Sequence, residues 1–125
     1  MNKIKLIVTT PEKIIVNNSF NEILLPGISG DFELFYNHEN FISKLRIGII
    51  SVDANNKLTP SFIVSESFAT FSQETNTCDV TAEYAVTISE IKSLNKSDII
   101  KKIESSFFET EKKVYQFILS LNENI

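Results

Sequence analysis

Apolar and polar residues alternate in short runs over the first two thirds of the chain, and then the period changes. The period-two runs predict strands at Lys3–Val8, Lys13–Val16, Phe20–Leu25, Phe41–Lys44, Ile47–Val52, Ser61–Ser65, Ala69–Gln73 and Thr77–Ala82. All are rich in Ile, Val, Phe and Thr, which suit a pleated, half-buried surface. The polar bends Asp53-Ala54-Asn55-Asn56 and Glu74-Thr75-Asn76 lie between such runs and read as hairpin turns. Pro11 and Pro60 fall at strand starts, where a missing N–H costs least.

Beyond Ser89 the spacing becomes helical. Ile100, Ile103, Phe107, Val114, Phe117 and Leu121 recur at intervals of three and four broken only at Thr110, so they share one helical face. A second set, Ile99, Phe108, Tyr115, Ile118 and Leu119, widens that face enough to need a second surface to bury against. Asn95 or Ser97 is placed to cap the helix, with Asp98 in its first turn. Asp98 with Lys102 and Glu109 with Lys113 are four apart, each pair worth a few tenths of a kcal/mol. Ser105-Ser106 is the one plausible break. A continuous helix would be about 37 Å long at ~1.5 Å per residue, whereas a break gives a two-helix hairpin. The pattern therefore predicts a mainly β protein: an antiparallel β-sandwich over residues 1–88, then a C-terminal helical segment over 89–125, with the boundary in the polar stretch Ser89 to Lys96.

The segment from Pro26 to Gly48 concentrates what is unusual. It holds all three glycines (Gly27, Gly30, Gly48), the single His and the single Arg, so positive φ is expected at these glycines. Its Asp31, Phe32, Tyr36, Asn37 and His38 place an acid, aromatics, an amide and an imidazole on what reads as one loop region, a composition suited to protein contact.

Composition narrows the alternatives. A 125-residue chain is about one domain, and no apolar run approaches the ~20 residues of a membrane helix. The start, Met1-Asn2-Lys3-Ile4-Lys5, enters strand-like alternation without an apolar signal core, which predicts that the protein is not exported. The net charge of −4, with the acid excess confined to residues 1–88, argues against nucleic acid as a partner. Cys78 is alone, so no internal disulfide forms and a buried thiol is expected. One His and one Cys are too few for a zinc site. Pro26-Gly27-Ile28-Ser29-Gly30 lacks the Lys and Ser/Thr of a phosphate loop. His38 and Cys78 have no supporting acid at a recognisable spacing, and carboxylate pairs such as Glu22 with Asp31 read as solvated. A small hydrolase and a free-standing β-sandwich binding module remain as alternatives to a docking subunit.

Residues Pro26-Gly27, Gly30-Asp31-Phe32, His38, Phe41-Ile42, Leu45-Arg46 and Gly48-Ile49-Ile50, preceded by the strand Leu6-Ile7-Val8 and Thr10-Pro11-Glu12, resemble the N-terminal domain of the epsilon subunit of rotary ATP synthase. Ile63-Val64 and Phe68-Ala69 continue the likeness, which covers residues 3–88. Glu33, Glu66 and Ser67 stand where that family has glycine. The resemblance implies a non-catalytic rotor subunit with no metal and no cofactor, sitting peripherally at the cytoplasmic face of the bacterial inner membrane. It would link the gamma shaft to the c-ring, bind the membrane only through the complex, and touch the alpha/beta head transiently. It implies ring contact through Gly30, Asp31, Phe32, Tyr36, Asn37 and His38, gamma contact through Phe41, Ile42, Leu45 and Arg46, and a brake on ATP hydrolysis through Lys101, Lys102, Lys112 and Lys113. Ser97-Asp98-Ile99-Ile100-Lys101-Lys102 lacks the Arg and Ala of the family's ATP-binding tail motif, so nucleotide binding is not expected.

Overall fold

The computed structural model describes residues 2–54 and 56–123, the side chains of 122 and 123 excepted; Asn55 of the first expected hairpin bend lies outside the described residues. Ten strands run in the order β1 (Ile4–Thr9), β2 (Ile14–Phe20), β3 (Glu22–Gly27), β4 (Gly30–Phe35), β5 (Phe41–Leu45), β6 (Gly48–Ala54), β7 (Lys57–Val64), β8 (Ser67–Ser72), β9 (Thr77–Ala82) and β10 (Ala85–Thr87). Helices α1 (Ile88–Lys92), α2 (Lys96–Ser105) and α3 (Glu109–Glu123) follow.

The strands pair in the order β10-β7-β6-β3-β5-β8-β9-β1-β2, with β4 on the free side of β3. Where β3 meets β5 the ladder narrows to the Gly27–Leu45 pair, so the sheet folds there into two facing halves, β4-β3-β6-β7-β10 and β5-β8-β9-β1-β2. Their inner faces supply one core: Ile23, Leu25, Leu34, Ile50 and Val64 from the first half, and Ile4, Leu6, Leu45, Ala69 and Val80 from the second. Strict alternation puts them there. In β8, Ser67, Ala69 and Phe71 point inward while Phe68 and Thr70 point out. Each fully buried Leu or Ile contributes about 1.5–3 kcal/mol.

Several sequence expectations are corrected. The sandwich is not wholly antiparallel, because β1 enters between β2 and β9 and runs parallel to β9. β2 extends beyond Val16 through the exposed Asn17-Asn18-Ser19, whose polar side chains are tolerated because β2 is an edge strand. β4, β10 and α1 are additional elements. Pro60 lies inside β7, opposite Ser51 and next to a register shift, rather than at a strand start. Positive φ is not a glycine property here: Gly30 (φ 137°) is joined by Asn37 (69°), Asn56 (66°) and Asn76 (47°), since Asn tolerates the left-handed region at tight corners.

The tail is a broken hairpin. Asn95 caps α2 by accepting from the Asp98 N–H at 2.8 Å, while the Asp98 carboxylate accepts from the Asn95 N–H at 3.1 Å. That carboxylate is therefore engaged locally rather than with Lys102, whose ammonium sits 5.7 Å from the Tyr115 ring centre. Ser106 turns extended and ends α2, which resets the phase of α3. In consequence the single stripe expected from the spacing does not form: Phe107 is 90% and Ile100 37% exposed. The buried face combines Val114 of that stripe with Ile99, Tyr115 and Ile118 of the second set, while Phe108 of the second set is itself exposed. Ile99, Val114, Tyr115 and Ile118 bury against Ile63 and Val86 on the outer side of the first half-sheet. The Tyr84 and Tyr115 hydroxyls meet at 2.9 Å and tie sandwich to tail.

Candidate functional site: two docking surfaces

The β3–β4 hairpin sets the geometry. Gly27 and Gly30 face each other across a two-residue turn, Ile28-Ser29. A side chain at Gly27 would lie 2.5 Å from the Gly30 carbonyl oxygen and 2.9 Å from the Phe32 ring, so close approach rather than unusual φ requires this glycine. Arg46 locks the turn: its backbone N–H donates to the Pro26 carbonyl at 3.0 Å, and its guanidinium to the Gly27 carbonyl and the Asp31 carboxylate, both at 2.6 Å. The Arg46–Asp31 pair is about half exposed, which limits it to about 1 kcal/mol. Arg46→Ala should nevertheless cost about 1–2 kcal/mol, because the charge-assisted bond to Gly27 is lost as well; a denaturation midpoint within error of the parent would refute this.

At the other end of β4, about 17 Å away at ~3.4 Å per residue, lies a second surface. The Asn37 N–H donates to Asn76 Oδ1 at 2.6 Å, Gln73 Nε2 to the Asn37 carbonyl at 3.0 Å, and the Gln73 N–H to Asn40 Oδ1 at 2.7 Å. This network sews the β4–β5 loop to the β8–β9 turn. His38 donates from Nδ1 to the Glu39 carbonyl at 2.8 Å, which places its proton on that nitrogen because a carbonyl only accepts. Its ring stands edge-on to Phe41 and Phe71, at 5.5 and 5.9 Å between centres, and Phe32 stands edge-on to Phe41 at 5.5 Å. On the outer face of β5 and β8 Ile42 is 79% and Phe68 57% exposed, with Ile42 opposite Thr70 and Lys44 opposite Phe68.

The proposed site residues therefore divide differently from the sequence reading. Gly30 and Asp31 do not share a loop with Tyr36, Asn37 and His38, because β4 intervenes. Asp31 joins Arg46 instead, and His38 joins Phe32, Phe41 and Ile42. Leu45 is fully buried in the core and has no surface to offer a partner. Phe68 is the addition; its outward phase in the Ser67–Ser72 alternation was the available signal. In the tail, Lys101, Lys102 and Lys113 are exposed and Lys112 is half-buried.

Neither residue of the hydrolase alternative is placed for chemistry. Cys78 is fully buried, and desolvation, reinforced by Asp79, pushes its thiol up to about 12. Thiol reagents should leave the native protein unlabelled at neutral pH and react only once denaturant opens the core; rapid native labelling would contradict this burial. Among the described residues, no helix is long and apolar enough to cross a membrane.

The geometry defines a β-sandwich with a docked helical tail and two candidate contact surfaces. The family profile "ATP synthase, Delta/Epsilon chain, beta-sandwich domain" matches residues 3–88, and the chain belongs to that family. It is similar to the ATP synthase epsilon chain of Gluconacetobacter diazotrophicus, 24% identical over 112 residues covering 90% of this chain and 78% of that one. The epsilon chain of Paramagnetospirillum magneticum is 30% identical over 89 residues, 71% of this chain and 65% of that one. The fold is shared with a chain in the Euglena gracilis mitochondrial ATP synthase OSCP/F1/c-ring structure, with a TM-score of 0.69 and 19% identity over all of this chain and 83% of that one. A chain in the Tetrahymena thermophila central stalk/c-ring structure matches at a TM-score of 0.57 and 13% identity, over 98% of this chain and 95% of that one. The protein is accordingly an accessory subunit of ATP synthase of the epsilon, rotor type, and not itself catalytic.

Proposed function

We propose that this subunit sits on the cytoplasmic side of the membrane and couples the gamma shaft to the c-ring by gripping each with a different surface. The observation that carries the reading is the exposure of Ile42 and Phe68, diagonal to each other across β5 and β8, on a sheet face that otherwise presents Lys44, Thr70, Asp79 and Thr81. Neighbouring exposed apolar groups on a rigid sheet are what a protein partner buries. This face, with His38 and Phe41 behind it, is assigned to the shaft. The β3–β4 turn, carrying Asp31 held by Arg46, is assigned to the polar loops of the ring. The Phe68 end of the first face lies beside this turn, because the carbonyl of Lys44, the cross-strand partner of Phe68, accepts from the Ile28 N–H at 3.1 Å. Two contacts on one rigid corner of the sandwich transmit torque without bending, which is the requirement of a coupling element. Lys101, Lys102 and Lys113 remain the cations available to acidic segments of the catalytic head.

The test is co-purification from membranes carrying the synthase. Wild-type protein should recover gamma and ring subunits together. Ile42→Asp, at a position too exposed to disturb folding, should reduce gamma recovery by at least ~10-fold, the equivalent of about 1.4 kcal/mol. Asp31→Lys should weaken ring recovery and leave isolated gamma binding intact. Undiminished gamma binding by Ile42→Asp would remove the shaft assignment.

A further inference from the structure

A cleft of about 490 Å³ lies between the sandwich and the tail. Pro11 and Glu12 of the β1–β2 connection, Glu83 and Tyr84 of the β9–β10 connection, and Phe108 and Glu111 at the start of α3 line it. Three carboxylates thus come from three elements, and no basic side chain is among the lining residues. Phe108 is 64% exposed, and its ring forms an apolar wall rather than part of the core.

The arrangement selects a ligand by its charge spacing. Among the described residues no group of His, Cys, Asp or Glu side chains is gathered closely enough to hold a metal ion, so these carboxylates do not converge on a point. Charges dispersed around apolar and aromatic surface match a cation whose own charges are separated by hydrocarbon. Tyr84 of the lining is bonded to Tyr115, whose ring already holds a cation, the Lys102 ammonium, at 5.7 Å from its centre. Tyr84 responds to the local field: burial, then the bond to Tyr115 and the charges of Glu111 and Glu90, raise its pKa above that of a free phenol. The volume falls in the ~300–1,000 Å³ range of small-molecule sites, far larger than one ion needs.

We propose that this cleft binds an aliphatic polyamine, its ammonium groups on Glu12, Glu83 and Glu111 and its methylene chain against Pro11, Tyr84 and Phe108. The site is independent of the shaft and ring assignments and survives if they fail.

The experiment is calorimetric titration of the full chain with spermidine at low salt. Saturable 1:1 binding is expected. Glu83→Gln combined with Glu111→Gln should weaken it by at least ~10-fold, and Phe108→Ala, which changes no charge, by roughly 3–10-fold. Glu22→Gln combined with Glu33→Gln removes the same charge elsewhere on the sandwich and should leave affinity unchanged. Unsaturable heat, equal weakening by both double variants, or indifference to Phe108→Ala would each overturn the proposal in favour of diffuse counter-ion attraction to an acidic protein.

Discussion

Gly27→Ala should destabilise the sandwich by roughly 2–4 kcal/mol, whereas Gly30→Ala three residues later should cost only about 1 kcal/mol. The added methyl at Gly27 meets a backbone carbonyl at 2.5 Å and a half-buried ring at 2.9 Å, and neither is the free end of a flexible side chain. Relief requires opening the β3–β4 turn. That turn also carries the Gly27–Leu45 pair, where the two half-sheets join, and the carbonyl that Arg46 holds. At Gly30 a methyl meets nothing within 4 Å, so the cost is confined to the unfavourable φ of 137°. Urea midpoints at constant m-value separate the two. Equal shifts, or a Gly27→Ala shift below 0.5 kcal/mol, would show that the turn relaxes freely and is not the joint described.

Ile99→Asp should release the tail while leaving the sandwich folded. Ile99 is fully buried between α2, α3 and the outer side of β7 and β10, in a cluster with Ile63, Val86, Val114, Tyr115 and Ile118. Burying an unpaired charge costs several kcal/mol, more than a two-helix hairpin gains from one face of packing. Hydrogen exchange should accelerate at least ~100-fold across α2 and α3, equivalent to about 2.7 kcal/mol, with the core strands retaining their protection. Phe107→Ser, in the same segment but 90% exposed, should change nothing. Retained protection in the Ile99 variant would mean that the tail is held chiefly by other contacts, such as the Tyr84–Tyr115 bond.

Much of the sandwich was legible because period-two alternation is written residue by residue. Thr77–Ala82 is a strand with the bounds its pattern predicts, and Cys78 is buried as its phase requires. β4 was less legible. Phe32, Leu34 and Phe35 lie among polar residues in a pattern that suggests a short strand before a bend at Tyr36-Asn37-His38, but the pattern fixes no bounds for it. Grouping Asp31 with His38 on one loop region therefore fails, because a six-residue strand separates them. The helical stripe failed for a different reason. Spacing across Ser105-Ser106 counts phase only if the helix is continuous, and once Ser106 turns extended Ile100 and Phe107 no longer share a face with Val114.

By itself the sequence determined the class of fold, the strand-to-helix transition near residue 88, the fate of Cys78 and the family to which residues 3–88 belong. These depend on local periodicity and on motifs contiguous in the chain. Only the tertiary structure decided that Arg46 grips Asp31, that Leu45 is buried while Ile42 and Phe68 are bare, and that the tail folds back onto β7 and β10. Such outcomes depend on which distant segments share a sheet and which face each turns outward, and close packing resolves that choice only when the whole chain is in place.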